Sequence, residues 1–227
     1  MTKANLNNNN LPQSSDPIKQ IKQAIYLGGL LTEDGKCRSE ITRRLGEANQ
    51  SSIKLEQVWK HANITKQRKK QIFDACVLPK LCYGLEGLCL LQAERRRLDS
   101  FYLKHLRRIW KIKPSFISHV TNEYVYGVTG AEQLSSYLLR RQLQLYWKIS
   151  AMSTNELVRA ITFNHDSNFP STFNLRRKRG RPRLQWKSCM HAIASSIATA
   201  CHKQIDDILG PHSSKQEWLQ LVHDYFL

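Results

Sequence analysis

The sequence predicts a mainly α protein with a short N-terminal β-hairpin, a disordered N-terminus and a basic extended arm before its C-terminal helices. Three observations predict it. Apolar residues recur at spacings of three and four over most of the chain, the period of amphipathic helices. Only one short apolar stretch, residues 24–32, ends in a turn signal, Glu33-Asp34-Gly35, and reads as strand. Finally, 41% apolar and 23% charged residues with 10 Gly and 7 Pro in 227 residues match a globular chain and exclude collagenous and wholly disordered classes. No apolar run reaches the ~18 residues of a membrane span, because Glu86 breaks the best candidate, residues 81–91.

Residues 1–20, with the Asn run 7–10, Pro12 and Pro17, lack apolar periodicity and read as a disordered leader without a secretory signal. A cell interior is then the expected compartment, and the six Cys are expected as thiols. Residues 21–35 read as the hairpin. From Lys36, the positions Ile41, Leu45, Ala48, Ser52, Leu55 and Trp59 predict a long helix. Thr65 is suited to N-cap a second helix, which Pro79 must kink or restart because proline has no N–H to give the preceding turn. A third helix over residues 92–111 places Leu98, Phe101, Tyr102, His105, Leu106 and Ile109 inward and most of its cations outward, with Pro114 ending it. Thr129 with Glu132 is expected to form a capping box ahead of a fourth long helix, residues 131–152. Ser153 with Glu156 should start a short fifth. Residues 164–183 read as a basic linker or arm. Residues 184–227 carry two last helices, the second capped by Ser214 with Glu217.

The formal charge of +17, from 35 Lys+Arg against 18 Asp+Glu, points to a polyanionic partner, with nucleic acid ahead of an anionic membrane. It is unevenly placed. Residues 92–113 hold 8 basic and 2 acidic side chains, residues 151–205 hold 9 and 2, and the last 22 residues reverse sign at 1 and 4. In the first block Arg95, Arg96, Lys104, Arg107, Arg108 and Lys111 are candidate phosphate contacts, with Tyr102 and Trp110 for stacking. In the second, Arg176, Arg177, Lys178, Arg179, Gly180, Arg181 and Arg183 form a dense run that leads to Trp186. Within it Arg179-Gly180-Arg181-Pro182 resembles an AT-hook core: glycine admits close backbone approach, proline keeps the course extended, and two arginines can enter a narrow minor groove. A phosphate-binding or nuclear-import patch would need only the charge.

Catalytic constellations are weak. The eight His are scattered without an HExxH pair, and Cys189, His191, Cys201 and His202 miss the usual zinc spacings. Asp206-Asp207 has no third carboxylate placed to join it in two-metal chemistry and reads as a solvated helix face. Cys76, Cys82 and Cys89 read as small hydrophobes. No catalytic or metal-binding residue is assigned.

Seven segments in order resemble the C-terminal part of reverse transcriptases of non-LTR (LINE-type) retrotransposons. They are Tyr26-Leu27-Gly28-Gly29-Leu30-Leu31-Thr32-Glu33-Asp34-Gly35, Glu40-Ile41-Thr42-Arg43-Arg44-Leu45, Val77-Leu78-Pro79-Lys80-Leu81-Cys82-Tyr83-Gly84-Leu85-Glu86, Arg97-Leu98-Asp99-Ser100-Phe101, Leu106-Arg107-Arg108-Ile109, Thr121-Asn122-Glu123 and Gly180-Arg181-Pro182-Arg183-Leu184-Gln185-Trp186-Lys187. The resemblance implies that Tyr26, Leu27 and Gly28 belong to a primer grip, residues 36–163 to a thumb-like helical domain that holds primer and template by the backbone, and the later helices to a post-thumb region. It implies an RNA–DNA hybrid or duplex DNA as partner, no membrane, and a nuclear or cytoplasmic ribonucleoprotein location. The family's metal-binding palm carboxylates lie upstream of the primer grip, and the roughly 24 residues before Tyr26 do not supply them. The chain is therefore expected to bind without polymerising alone, to carry no cofactor because Mg would belong to the missing palm, and to depend on a separate palm and fingers portion for catalysis. The rival readings are an AT-hook-like helical DNA-binding protein and a non-functional retroelement remnant.

Overall fold

The computed structural model describes residues 21–61, 63–165, 167–171 and 184–226. The described residues divide into two compact units, one up to Lys36 and one from Cys37 onward. In the first, strands β1 (Gln23–Tyr26) and β2 (Gly29–Thr32) pair antiparallel, with Ile25 opposite Leu30 and Tyr26 opposite Gly29. The two connecting residues, Leu27 and Gly28, both have positive φ, 46° and 77°. That is the sense of turn that follows the right-handed twist of a two-residue hairpin. Asp34 closes the far end by accepting from the Thr32 hydroxyl at 2.8 Å and the Lys36 N–H at 3.0 Å, bonds to the ionised carboxylate that hold its pKa down at about 2.

Among its described residues the second unit is helical apart from its loops and an isolated bridge between Phe163 and Pro170, and it has two apolar cores. α1 (Arg38–His61), α2 (Lys66–Cys76), α3 (Leu78–Cys82) and α4 (Gln92–Trp110) enclose the first with α6 (Asn122–Thr129) and the start of α7 (Leu134–Ser150). Thr65 caps α2 by accepting from the Arg68 N–H, and Pro79 sits in the first turn of α3, where a missing N–H costs nothing. The inward face of α4 is the expected one: Leu98, Tyr102, His105, Leu106 and Ile109 are buried and Phe101 is partly so. His105 stacks on Phe73 at 5.0 Å and meets Phe101 at 4.6 Å. Burial and the nearby charges of Arg108 and Lys104 push its pKa down to about 4, so it is neutral in the fold at pH 7.

The second core joins the later half of α7 to α8 (Leu157–Thr162), α9 (Trp186–Ala200), α10 (Ile205–Ile208) and α11 (Lys215–Tyr225), around Tyr146, Phe163, Ile197 and Trp218. α7 thus serves both cores, and α9 and α11 pack on it directly. The flanks of the basic arm are tied together: Lys187 Nζ, beyond it, donates to the Ser171 hydroxyl at 2.6 Å and the Ile161 carbonyl at 3.1 Å, before it.

Several elements differ from expectation: Ser153 does not cap α8, whose N-cap residue is Glu156 without a side-chain cap bond, and the short α10 stands between the two expected C-terminal helices. Thr129 does not open a capping box. It ends α6, where it is buried and its hydroxyl donates to the Tyr126 carbonyl. α7 starts instead at Leu134, and the Asp99 carboxylate of α4 accepts its Ser135 N–H at 2.8 Å. α6 itself was not expected; Thr121 caps it by accepting from the Tyr124 N–H. Pro114 begins the short α5 (Ser115–Ser118), whereas α4 ends at Lys111, whose left-handed φ of 59° breaks the helix.

Candidate nucleic-acid interface

The first basic block lies on α4, and helix periodicity decides where its charges point. At about 100° per residue, Arg96, Arg97, Lys104, Arg108 and Lys111 fall within an arc of about 120°, and all five are exposed. Two of them also brace α1: Arg97 donates to the Thr42 hydroxyl at 3.0 Å, and Arg108 pairs with Glu56 at 2.6 Å. The Arg96, Lys104 and Lys111 side chains make no hydrogen bond or ion pair among the described residues. An unpaired cation in water is inexpensive to leave unpaired and available to a phosphate.

Arg107 is a correction. Its angular position lies inside the exposed arc, yet it is buried, because residues 113–122 fold back over it. Its guanidinium donates to the carbonyls of Lys113 at 3.2 Å, Val120 at 2.8 Å and Thr121 at 3.4 Å, and to Asn122 Oδ1 at 3.1 Å. Five N–H donors in a planar fork suit such a set of oxygens. Arg107 therefore shapes the segment that follows α4 and is closed to a phosphate. Arg95 is half-buried and turned from the arc toward Cys89.

The expected stacking residues are corrected too. Tyr102 is buried and donates to Asp74 at 2.9 Å. Trp110 is partly buried against the first core. Trp186 packs edge-on against Tyr146 at 5.9 Å within the second core, with its indole N–H buried and without a partner among the described residues. None of the three is an open platform. The aromatic residue that does stand open beside the α4 stripe is Phe116, 78% exposed, which periodicity could not single out because it lies in a short turn.

Arg176, Arg177, Lys178, Arg179, Gly180, Arg181 and Arg183 lie outside the described residues. Tyr26, Leu27 and Gly28 meet at the tip of the hairpin, with Tyr26 and Leu27 mostly exposed beside Ile25 and Leu31. Elsewhere, basic residues of the resembling segments serve the fold: Arg43 and Arg44 both bind Glu40, which is buried beneath them, at 2.7 Å. A cleft of about 700 Å³ lined by Glu86, Arg141, Trp147, Lys148, Lys215 and Trp218 contains none of the candidate nucleic-acid-binding residues read from the sequence.

Asp206 and Asp207 have structural partners. Asp207 accepts the Gln204 N–H at the start of α10, and Asp206 accepts from Asn168 at 3.0 Å. Among the described residues no three His, Cys, Asp or Glu side chains converge on a metal position. Of the three cysteines read as small hydrophobes, Cys82 is buried and its thiol pKa is pushed up to about 12, whereas Cys76 is exposed, a correction for that position. Cys89 and Cys189 lie with their sulfurs 3.7 Å apart. No protein-family model, curated protein or solved structure matches the chain.

Proposed function

We propose that this chain is a nucleic-acid-binding part of a non-LTR retrotransposon reverse transcriptase, gripping a primer–template duplex by its phosphates and not itself performing the polymerase chemistry. The observation that carries the reading is the α4 stripe, where Arg96, Lys104 and Lys111 stand exposed along one arc with no anionic partner among the described residues. Phosphates repeat along a nucleic-acid strand, and a helix that presents cations a turn or two apart can meet several at once without reading a base. The sequence of the arm, with seven cations in residues 176–187, supplies a second set of the same sign. The exposed apolar side chains of the hairpin, Ile25, Tyr26, Leu27 and Leu31, suit a primer-grip hairpin that docks on a palm portion.

The test is fluorescence anisotropy of a labelled RNA–DNA hybrid and of duplex DNA across a salt series. Binding by phosphate contact gives log affinity falling linearly with log salt, at a slope of about −0.9 for each phosphate neutralised on a B-form duplex. A flat salt response, or no binding at low salt, contradicts the proposal. An AT-hook reading, favoured by Arg179-Gly180-Arg181-Pro182, separates in the same assay. Arg179→Ala with Arg181→Ala would then weaken A·T tracts selectively, whereas phosphate gripping predicts equal loss on all duplexes.

A further inference from the structure

Residues 111–122 leave α4 in a turn that the fold holds rigidly. Lys111 takes the left-handed conformation, Ile112 N–H returns to the Arg107 carbonyl at 2.8 Å, and the buried Arg107 guanidinium grips carbonyls at both ends of the segment, Lys113 on one side and Val120 and Thr121 on the other. Within it the Ser118 hydroxyl contacts the carbonyls of Lys113 at 3.0 Å and Pro114 at 3.1 Å, and the Val120 N–H donates to Ser118 Oγ at 3.3 Å. At the crown of this braced turn Phe116 is 78% exposed, the most of any large apolar side chain among the described residues, and Ile117 beside it is 52% exposed. A flexible loop could fold a phenylalanine inward and remove its ring from water. This one is clamped with the ring outside.

The surroundings identify what the ring meets. From Ser100 to Asn122 the sequence has no carboxylate, and Lys104, Lys111 and Lys113 are exposed without an anionic partner among the described residues, while Arg108 is paired with Glu56 of α1; Glu123, at the start of α6, is the first acidic residue beyond. A ligand for this surface must therefore be anionic and offer a flat apolar face. Nucleic acid with unpaired bases does both, since a duplex keeps its base faces stacked against one another and a single strand does not. We infer that the Arg107-clamped turn is a single-strand subsite, in which an unpaired base stacks on Phe116 while its flanking phosphates meet Lys111 and Lys113. The inference rests on the nucleic-acid-binding reading above and adds to it the form of the ligand: a duplex lying on the α4 stripe with a single-stranded extension running over the turn.

The experiment compares a labelled blunt duplex with the same duplex carrying a single-stranded thymidine extension, using the full chain, Phe116→Ala and Phe116→Tyr. The native chain should bind the extended duplex more tightly by about 5- to 140-fold, the range of one base–aromatic stack. Phe116→Ala should lose that gain while keeping the blunt-duplex affinity and its salt slope, and Phe116→Tyr should keep it. Because Phe116 is exposed, thermal unfolding of both variants should match the native chain. Equal native affinity for the two duplexes, or a gain that survives Phe116→Ala, overturns the subsite. Phosphatidylserine vesicles bound in a Phe116-dependent manner, with no extension effect, would assign the turn to a membrane and also overturn it. Salt-sensitive binding to blunt duplex without an extension gain defeats this inference alone, whereas failure to bind any nucleic acid defeats the reading on which it rests.

Discussion

The two cores of the helical unit are built alike and dressed differently. Each is fastened by a buried arginine that gathers oxygens from outside its own helix. Arg107 ties residues 113–122 beside the first core, and Arg159 donates to the Ser150 carbonyl at 2.7 Å and to Asn168, which in turn donates to Asp206 and the Leu209 carbonyl beside the second. The first core carries the cationic arc of α4 on its outer surface. The helices that complete the second, residues 184–226, hold three Lys against four acidic residues. The helices that close the second core thus carry no net positive charge, and the charge on α4 is not a requirement of such helical packing. That is the pattern expected when charge serves a ligand.

The comparison breaks first at the two clamps. Arg107→Ala strands three carbonyls and the Asn122 side-chain oxygen, Arg159→Ala strands the Ser150 carbonyl and the Asn168 side-chain oxygen, and each should lower unfolding free energy by about 3 kcal/mol, read by denaturant or thermal unfolding. They should part in function: Arg107→Ala also disorders the turn beside the α4 stripe and weakens nucleic-acid binding, while Arg159→Ala, assayed where it remains folded, should not.

A comparable effect belongs to His105 alone. Its folded pKa, about 4, lies below the ordinary value of 6.5, so between these values the unfolded chain holds a proton that the folded chain refuses. Stability from this group is complete above pH 6.5 and is lost as pH falls toward 4, by about 3 kcal/mol. In His105→Phe, which keeps a ring between Phe73 and Phe101, that part of the acid destabilisation should vanish. Unfolding curves at pH 7 and 4.5 for both proteins measure it; an identical pH dependence would contradict the buried neutral imidazole. Asp99→Ala, which removes the cap on Ser135, should cost about 1 kcal/mol and leave the salt slope of binding untouched.

What could be read from the sequence divides along the same physical line. The α4 inward face, the Thr65 and Ser214 caps and the restart at Pro79 are local: period, side-chain oxygen and missing N–H act within a few residues of themselves. What escaped is non-local. Arg107 obeys the period of the exposed arc and is buried only because a later segment closes over it. Thr129 and Glu132 have capping-box spacing, but the cap on α7 arrives from Asp99, 36 residues earlier. Trp186 follows a basic run in sequence and faces Tyr146 in space. Gln142 is likewise opaque to periodicity, donating to the carbonyls of Leu85 and Leu88 at 3.1 and 2.8 Å to fasten the chain before α4 onto α7. Of the candidate interface, the exposed cations were legible and their aromatic neighbour Phe116 was not, because a four-residue turn has no period to read.

The smallest changes in stability accompany the most direct test of function. Lys104→Gln with Lys111→Gln removes two exposed charges from the α4 stripe; Lys148→Gln with Lys215→Gln removes the same charge beside the second core. Both pairs should leave unfolding free energy within about 0.5 kcal/mol of the native chain. Measured by anisotropy on one duplex across a salt series, the first pair should flatten the slope of log affinity against log salt by about 2 while the second leaves it unchanged. Equal slopes for the two pairs would mean that net charge alone attracts the polyanion, and would contradict an interface on α4.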